Sequence, residues 1–271
     1  MTENLCKIKK RSFISVRKEK KGKVKPVFEV NFDFKNRNGD LIKAIVLQQR
    51  EQMTQMEAGG WTIAQIDDLQ ALWRTIIGLG NNSVYEVSMT LHHTYGIPYV
   101  PSTLLKGVVR SWIIRRCFKR SEKKALENPL FKHLFGETDQ KGAVVWWDAF
   151  PQNPPRLRPD VLNVNYPEYY ESAQAPGDYQ PARPVYFLTL DRKDAENNTL
   201  QFHYYFGLPP GTKNSMLEEF GEAAHPFIKI KSLHLQSTLL DAIRVWTRRA
   251  LYLHGLGGKT SRGYGRQKPK Q

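Results

Sequence analysis

Cysteine is nearly absent from these 271 residues: Cys6 and Cys117 are the only two, and they stand far apart. Two unclustered thiols exclude a disulfide framework and a cysteine-based zinc site, and they point to a reducing cytoplasm. No apolar run approaches the ~18 residues of a membrane-spanning helix, and the first residues show no signal-peptide apolar core. Serine-nucleophile motifs are missing. The seven histidines (92, 93, 133, 203, 225, 234 and 254) offer no metal-ligand spacing. The exception is adjacent His92 and His93, which a strand would point to opposite faces.

Acid is missing where it would balance charge. The net charge is +15, and residues 244–271 hold eight Lys/Arg and no Asp or Glu, a net +8. Residues 1–25 hold ten Lys/Arg against Glu3 and Glu19, again +8, which leaves residues 26–243 at −1. Excess positive charge confined to the two ends is the electrostatic footprint of a nucleic-acid binder. The 40% hydrophobic content is that of a globular chain with a core.

The chain divides into a basic N-terminal extension, 1–83, and a main unit, 84–271. In the extension, Phe13–Val16 and Val27–Phe34 alternate as strands, with the lysine-rich tip Lys18–Lys25 between them. Asn38-Gly39-Asp40 signals a hairpin into a partner strand, Leu41–Leu47. Thr62 caps an expected packing helix carrying Ile63, Ile66, Leu69, Leu72, Trp73 and Ile76, closed by Gly78 and Gly80.

Val84–Leu91 reads as a strand. Ser102 or Thr103 caps a helix over 102–117 whose buried stripe is Leu104, Leu105, Val108, Val109, Trp112 and Ile113. Lys106 and Arg110 lie near its start, where unpaired N–H groups and the dipole favour phosphate. Arg115 and Arg116 near its end are explained by dipole compensation. Strands follow at 143–148, 185–190 and 201–207, then a helix over 232–254 with Leu235, Leu239, Ile243, Trp246, Ala250 and Leu253 inward, and a short strand at 262–267. Residues 151–185 hold eight of the sixteen prolines and Tyr166, Tyr169, Tyr170 and Tyr179, a long irregular insertion. The order βαββαβ predicts an α+β, ferredoxin-like (RRM-like) core.

Gly255–Arg266 packs five glycines with Lys259, Arg262 and Arg266. Consecutive N–H groups in a glycine-rich loop form an anion-binding concavity. Gly258-Lys259-Thr260 invites a nucleotide-binding reading, but Leu253 stands where a P-loop needs glycine, and the loop follows a helix instead of a strand. Neither a cofactor nor a metal is expected. His92 or His93 remains open as a general acid or base for metal-free RNA cleavage.

Three stretches together resemble the RAMP superfamily of CRISPR systems. They are Gly96–Arg110, which departs from the family pattern at Thr103 and Leu104; Phe135-Gly136-Glu137 with Gly142–Ala149; and the loop Gly255–Gly265. Asp160–Asn163 with Tyr166, Tyr169 and Tyr170, then Pro184–Leu188, narrow the resemblance to the sixth Cmr subunits of type III-B effectors, most of which carry Pro-His at the place of Val164-Asn165.

The resemblance implies a cytoplasmic, non-catalytic subunit that caps a filament on the 3′ side of the CRISPR RNA, in antiviral defence. Its implied partners are CRISPR RNA, target RNA, and other RAMP-type and small helical subunits, with no membrane. In that role Lys106, Arg110, Lys259, Arg262 and Arg266 neutralise phosphates. Ser102, Thr103, Gly257, Gly258, Thr260 and Ser261 donate N–H or hydroxyl groups to the backbone. Two rivals stand beside it: a RAMP endoribonuclease acting on precursor CRISPR RNA through His92 or His93, and a scaffold subunit touching protein alone.

Overall fold

The computed structural model of the chain describes residues 14–16, 28–30, 34–79, 89–164, 175, 183–215, 217–228 and 238–270. Strands β1 (Ile14–Val16) and β2 (Phe28–Val30) pair antiparallel, as the alternation predicts. The lysine tip between them lies outside the described residues. The expected strand at Leu41–Leu47 is instead part of helix α1 (Phe34–Ala58). Buried Ile42, Ile45, Gln49 and Met53 recur every three or four residues. That spacing is one face of a helix, and it overrides the Asn38-Gly39 turn signal.

The reverse exchange occurs next. The helix expected from Thr62 is two strands, β3 (Thr62–Ile66) and β4 (Leu69–Ala71). Its apolar spacing fits a helix, yet Trp73 is 47% exposed while Ala71 and Thr75 are buried. Pairing decides the matter: β3 runs antiparallel to β8 (Tyr204–Leu208), with Thr62 opposite Leu208 and Ile66 opposite Tyr204. β-branched Thr62, Ile63 and Ile66 suit that ladder.

β8 also pairs with β5 (Val145–Trp146), and β4 pairs with β9 (Gln267–Pro269). A bridge from Gln70 to Gln201 carries the β3 partnership onward. β3 and β4 thus act as one bent strand, giving the order β9, β4/β3, β8, β5. The strand that opens this sheet comes from 62–71; of the strand expected at 84–91, residues 84–88 lie outside the described residues and Leu91 only bridges Pro98. Every residue of β8 is buried, as an interior strand covered on both faces requires.

Helix α2 (Ser102–Cys117) has the predicted bounds, and Leu105, Val109, Trp112 and Ile113 are buried. Short helices α3 (Glu122–Leu126), α4 (Pro129–Phe135), α5 (Leu217–Phe220) and α6 (His225–Ile228) follow. Helix α7 (Leu239–Leu253) begins later than the predicted 232, because the Thr238 hydroxyl accepts from the Asp241 N–H and caps it there. Residues 229–237 lie outside the described residues. Leu239, Ile243, Trp246 and Ala250 face the core as predicted, but Leu253, at the end of the helix, is 50% exposed. α2 and α7 pack against each other and against the sheet.

Part of the expected irregular insertion is regular. β6 (Pro155–Val164) pairs antiparallel with β7 (Arg183–Asp194), Asp160 opposite Phe187. Pro155 and Pro159 are tolerated because, among the described residues, β6 has only this one partner strand. Tyr166, Tyr169, Tyr170 and Tyr179 fall outside the described residues.

His92 and His93 do not point apart. They lie at a turn instead of on a strand, their rings stack at 4.8 Å, and His92 also stacks on Tyr95 at 4.6 Å. With Tyr99 and Phe150, His92 belongs to an aromatic cluster beside Ile42, Ile45 and Ile97. Burial, then the neighbouring His93, pushes the His92 pKa down, with Asp148 opposing.

Candidate nucleic-acid interface

The start of α2 is capped, but not by its own hydroxyls. Pro101 holds the capping position, and the Ser102 N–H donates to Asp148 Oδ1 at 2.7 Å. A carboxylate thus occupies the place that sequence reasoning reserved for phosphate. Asp148→Ala is expected to cost about 1 kcal/mol, the usual value of a helix cap. Urea unfolding measures it, and an unchanged midpoint would mean the cap is idle.

Lys106 and Arg110 do not turn toward the glycine loop. Arg110 pairs with Glu122 at 2.7 Å and lies 5.3 Å from the centre of the Phe131 ring. Burial, and then the Arg110 charge, holds the Lys106 pKa below its ordinary value. The opposite flank of α2 does face the loop. Thr103, Leu104, Gly107, Val108, Ser111 and Arg115 form one wall of a groove of about 500 Å³, and Leu253, His254, Gly255, Gly257, Thr260, Ser261 and Arg266 form the other.

Of the predicted residues, Thr103, Gly257, Thr260, Ser261 and Arg266 meet here, while Ser102, Lys106, Arg110, Gly258, Lys259 and Arg262 are not among the lining. Sequence reasoning missed Gly107, Ser111, Arg115 and His254. The signal was present: Thr103, Gly107, Ser111 and Arg115 recur every four residues and share one helix face.

The loop is not the cradle of N–H groups expected. Gly258 N–H donates to the Ile76 carbonyl at 2.9 Å, Gly265 to Arg74 at 2.8 Å, Leu256 to Gly265 at 2.9 Å, and Gly263 to Thr260 at 3.0 Å. These glycines close the backbone on itself. Gly257 (φ 83°) and Gly265 (φ 67°) press against the Ile76 and Leu256 carbonyls so closely that a Cβ would overlap them. What remains for a ligand is the short 3₁₀ turn Thr260–Arg262. Its first N–H groups have no partner within the turn.

The loop is tied down from outside. The Tyr264 hydroxyl donates to Asp160 Oδ2 at 2.7 Å, and the Arg74 guanidinium pairs with the same oxygen. Burial pushes the Asp160 carboxyl up, but the Tyr264 hydroxyl, the Val161 N–H and Arg74 together outweigh it and hold the pKa below the usual value. Burial, then the bond and charge of Asp160, pushes Tyr264 up to about 12. Lys259, in the left-handed region at φ 53°, lays its ammonium 5.3 Å from the centre of the Phe187 ring. Arg262 is exposed.

Charge in the groove is of one sign. Burial, then Arg115, then Arg266, pushes the His254 pKa down. Arg266 Nε is buried with no acceptor among the described residues. A second groove of about 680 Å³ lies between α1, β3 and the start of α7. There Arg50 and Arg244 share the walls with Glu57, Asp67 and Asp241, so its charge does not select a polyanion.

Comparison with known proteins gives this arrangement a family. The chain is 28% identical over 251 residues to the CRISPR system Cmr subunit Cmr6 of Pyrococcus furiosus, covering 71% of this chain and 64% of that protein. It is 27% identical over 125 residues to the Cmr6 subunit of Saccharolobus solfataricus, covering 44% and 39%. The matches thus span less than two thirds of either relative's length. Among solved structures, a chain in the cryo-EM structure of the type III-B Cmr-beta bound to cognate target RNA superposes with a TM-score of 0.57. That match has 19% identity and covers 88% of this chain and 72% of the other, a likeness of fold. The family model of the RAMP superfamily matches residues 68–268, from β4 through α2 to the glycine loop and β9. The chain belongs to the RAMP superfamily.

Proposed function

We propose that this chain is a non-catalytic RNA-binding subunit of a type III-B CRISPR RNA-guided effector, holding the 3′ region of the CRISPR RNA by its phosphate backbone. The observation that carries the reading is the groove between α2 and the glycine loop, where Arg115, His254 and Arg266 converge beside the hydroxyls of Thr103, Ser111, Thr260 and Ser261. Contacts to phosphate fix register without reading sequence, which suits a subunit that must accept any guide. Relatives named as Cmr6, and a fold neighbour that is one chain of a type III-B Cmr-beta bound to target RNA, support the same reading. Other RAMP-type and small helical subunits are the proposed protein partners, in the cytoplasm.

The sheet order β9, β4/β3, β8, β5, with α2 and α7 packed against it, supports a ferredoxin-like core in which residues 62–71 supply the first strand. Counting only that sheet and the two long helices packed on it, the order is βαββαβ, with β6 and β7 as a hairpin between β5 and β8.

A log–log salt dependence tests the binding. With ~4 phosphates neutralised, affinity for single-stranded RNA is expected to fall with a slope near −3. A slope indistinguishable from zero in filter binding sinks the electrostatic reading. The same preparation, incubated with repeat-containing RNA and EDTA, is expected to leave the RNA intact. Cleavage that disappears in His92→Ala or His93→Ala would replace the binder with an endoribonuclease.

A further inference from the structure

Gly107 sits in the middle of α2, where glycine is among the poorest helix formers. Among the described residues no packing calls for it: a Cβ placed there would meet none of their atoms within 4 Å. Elsewhere in the protein, glycines such as Gly257 and Gly265 stand where backbone presses on backbone. Gly107 instead opens onto the groove, and the space above it belongs to no residue described.

The walls around that space are of two kinds. Leu104 and Val108 flank Gly107 on α2, and Leu253, half exposed, faces them from the end of α7. Arg115 and Arg266 hold the charged part, beside His254. A track for phosphate alone gains nothing from three aliphatic side chains. A nucleotide has an apolar flat base and an anionic phosphate, and single-stranded RNA is recognised through bases splayed out of the stack. A groove of about 500 Å³ is of the size that encloses a small ligand.

We propose that the groove takes one unstacked nucleotide of the bound RNA, its base lying across the bare backbone at Gly107 between Leu104, Val108 and Leu253, its phosphate against Arg115 and Arg266. The missing side chain makes the room. This rests on the RNA-binding reading above and goes beyond it, because that reading needs only backbone contacts.

The test is a double-mutant cycle between protein and RNA, using the full chain and a single-stranded 12-nucleotide RNA made abasic at each position in turn. One abasic position is expected to weaken binding to the wild type about tenfold and to cost Gly107→Leu nothing, because the bulky side chain already excludes the base. Gly107→Leu itself should bind intact RNA at least tenfold more weakly. Gly107→Ala serves as the folding control: it should melt no lower than the wild type, yet bind intact RNA about threefold more weakly. The inference is overturned if no abasic position matters to the wild type, or if both Gly107 variants bind as tightly as the wild type. A wild type that binds no RNA fails the earlier reading instead, so the two failures are distinguishable.

Discussion

Alanine at Gly257 or at Gly265 is expected to lower stability by about 2–5 kcal/mol. Positive φ costs a residue with a Cβ about 1–2 kcal/mol, and the overlaps with the Ile76 and Leu256 carbonyls force backbone shifts of the size that overpacking costs, about 1–3 kcal/mol. Gly258→Ala is the control. Its Cβ would meet side chains of Ile76 and Leu79 at 3.4–3.6 Å, ordinary contact, and its cost should stay within about 0.5 kcal/mol. Urea unfolding of the three variants separates them. If the Gly257 and Gly265 variants unfold with Gly258→Ala at the wild-type midpoint, the close-packed loop described above is wrong. A loop that yields locally instead of globally would show a smaller loss of stability but a large loss of RNA affinity, since the Thr260–Arg262 turn hangs from it.

Removing Arg115 and Arg266 together is expected to weaken RNA binding by about 10²–10⁴-fold. Each charge-assisted hydrogen bond to phosphate is worth about 1.5–3 kcal/mol, and each 1.4 kcal/mol is a factor of ten. Arg110→Ala is the contrast. That guanidinium is already paired with Glu122, so its loss should change affinity by less than about threefold, the range of an exposed ion pair.

The pH dependence of the same titration follows from His254, whose pKa in the free protein is lowered by burial and by Arg115 and Arg266. A phosphate between the two arginines neutralises them locally and raises that pKa. Binding therefore takes up a proton, and affinity should rise as pH falls through the bound-state pKa and level off beneath the lower free-protein one. His254→Gln should abolish this rise while leaving binding at pH 8 nearly unchanged. Equal affinity at pH 8 and pH 5.5 in the wild type would remove His254 from the site.

How much of this was legible depended on where each residue's partners lie. The bounds of α2 and the stripe of α7 could be read directly, because their burial pattern repeats within one element. Leu41–Leu47 and Thr62–Ala71 were misread, in opposite directions. Asn38-Gly39 is a turn signal that a longer apolar stripe overrides, and Thr62–Ala71 becomes strand only because β8 and β9, far along the chain, are there to pair with it.

The site shows the same division. The glycines of 255–265 were visible, but their N–H groups looked available until Ile76 and Arg74 supplied carbonyls to them. Arg115 was set aside because an arginine near a helix end has a sufficient electrostatic explanation. Only the opposing wall, from another helix and the loop, turns that end of α2 into a binding face. The carboxylate that caps α2, Asp148, lies 46 residues beyond the Ser102 N–H it accepts from, out of reach of any local pattern.

One carboxylate also ties the hairpin to the loop. Asp160 stands on β6, and both things it holds, the Tyr264 hydroxyl and the Arg74 guanidinium, belong to the segments that frame the glycine loop. The hairpin of β6 and β7 is therefore fastened to the loop region at several points: Asp160 on Tyr264 and Arg74, the bridge from Thr75 to Leu190, and Lys259 over the Phe187 ring.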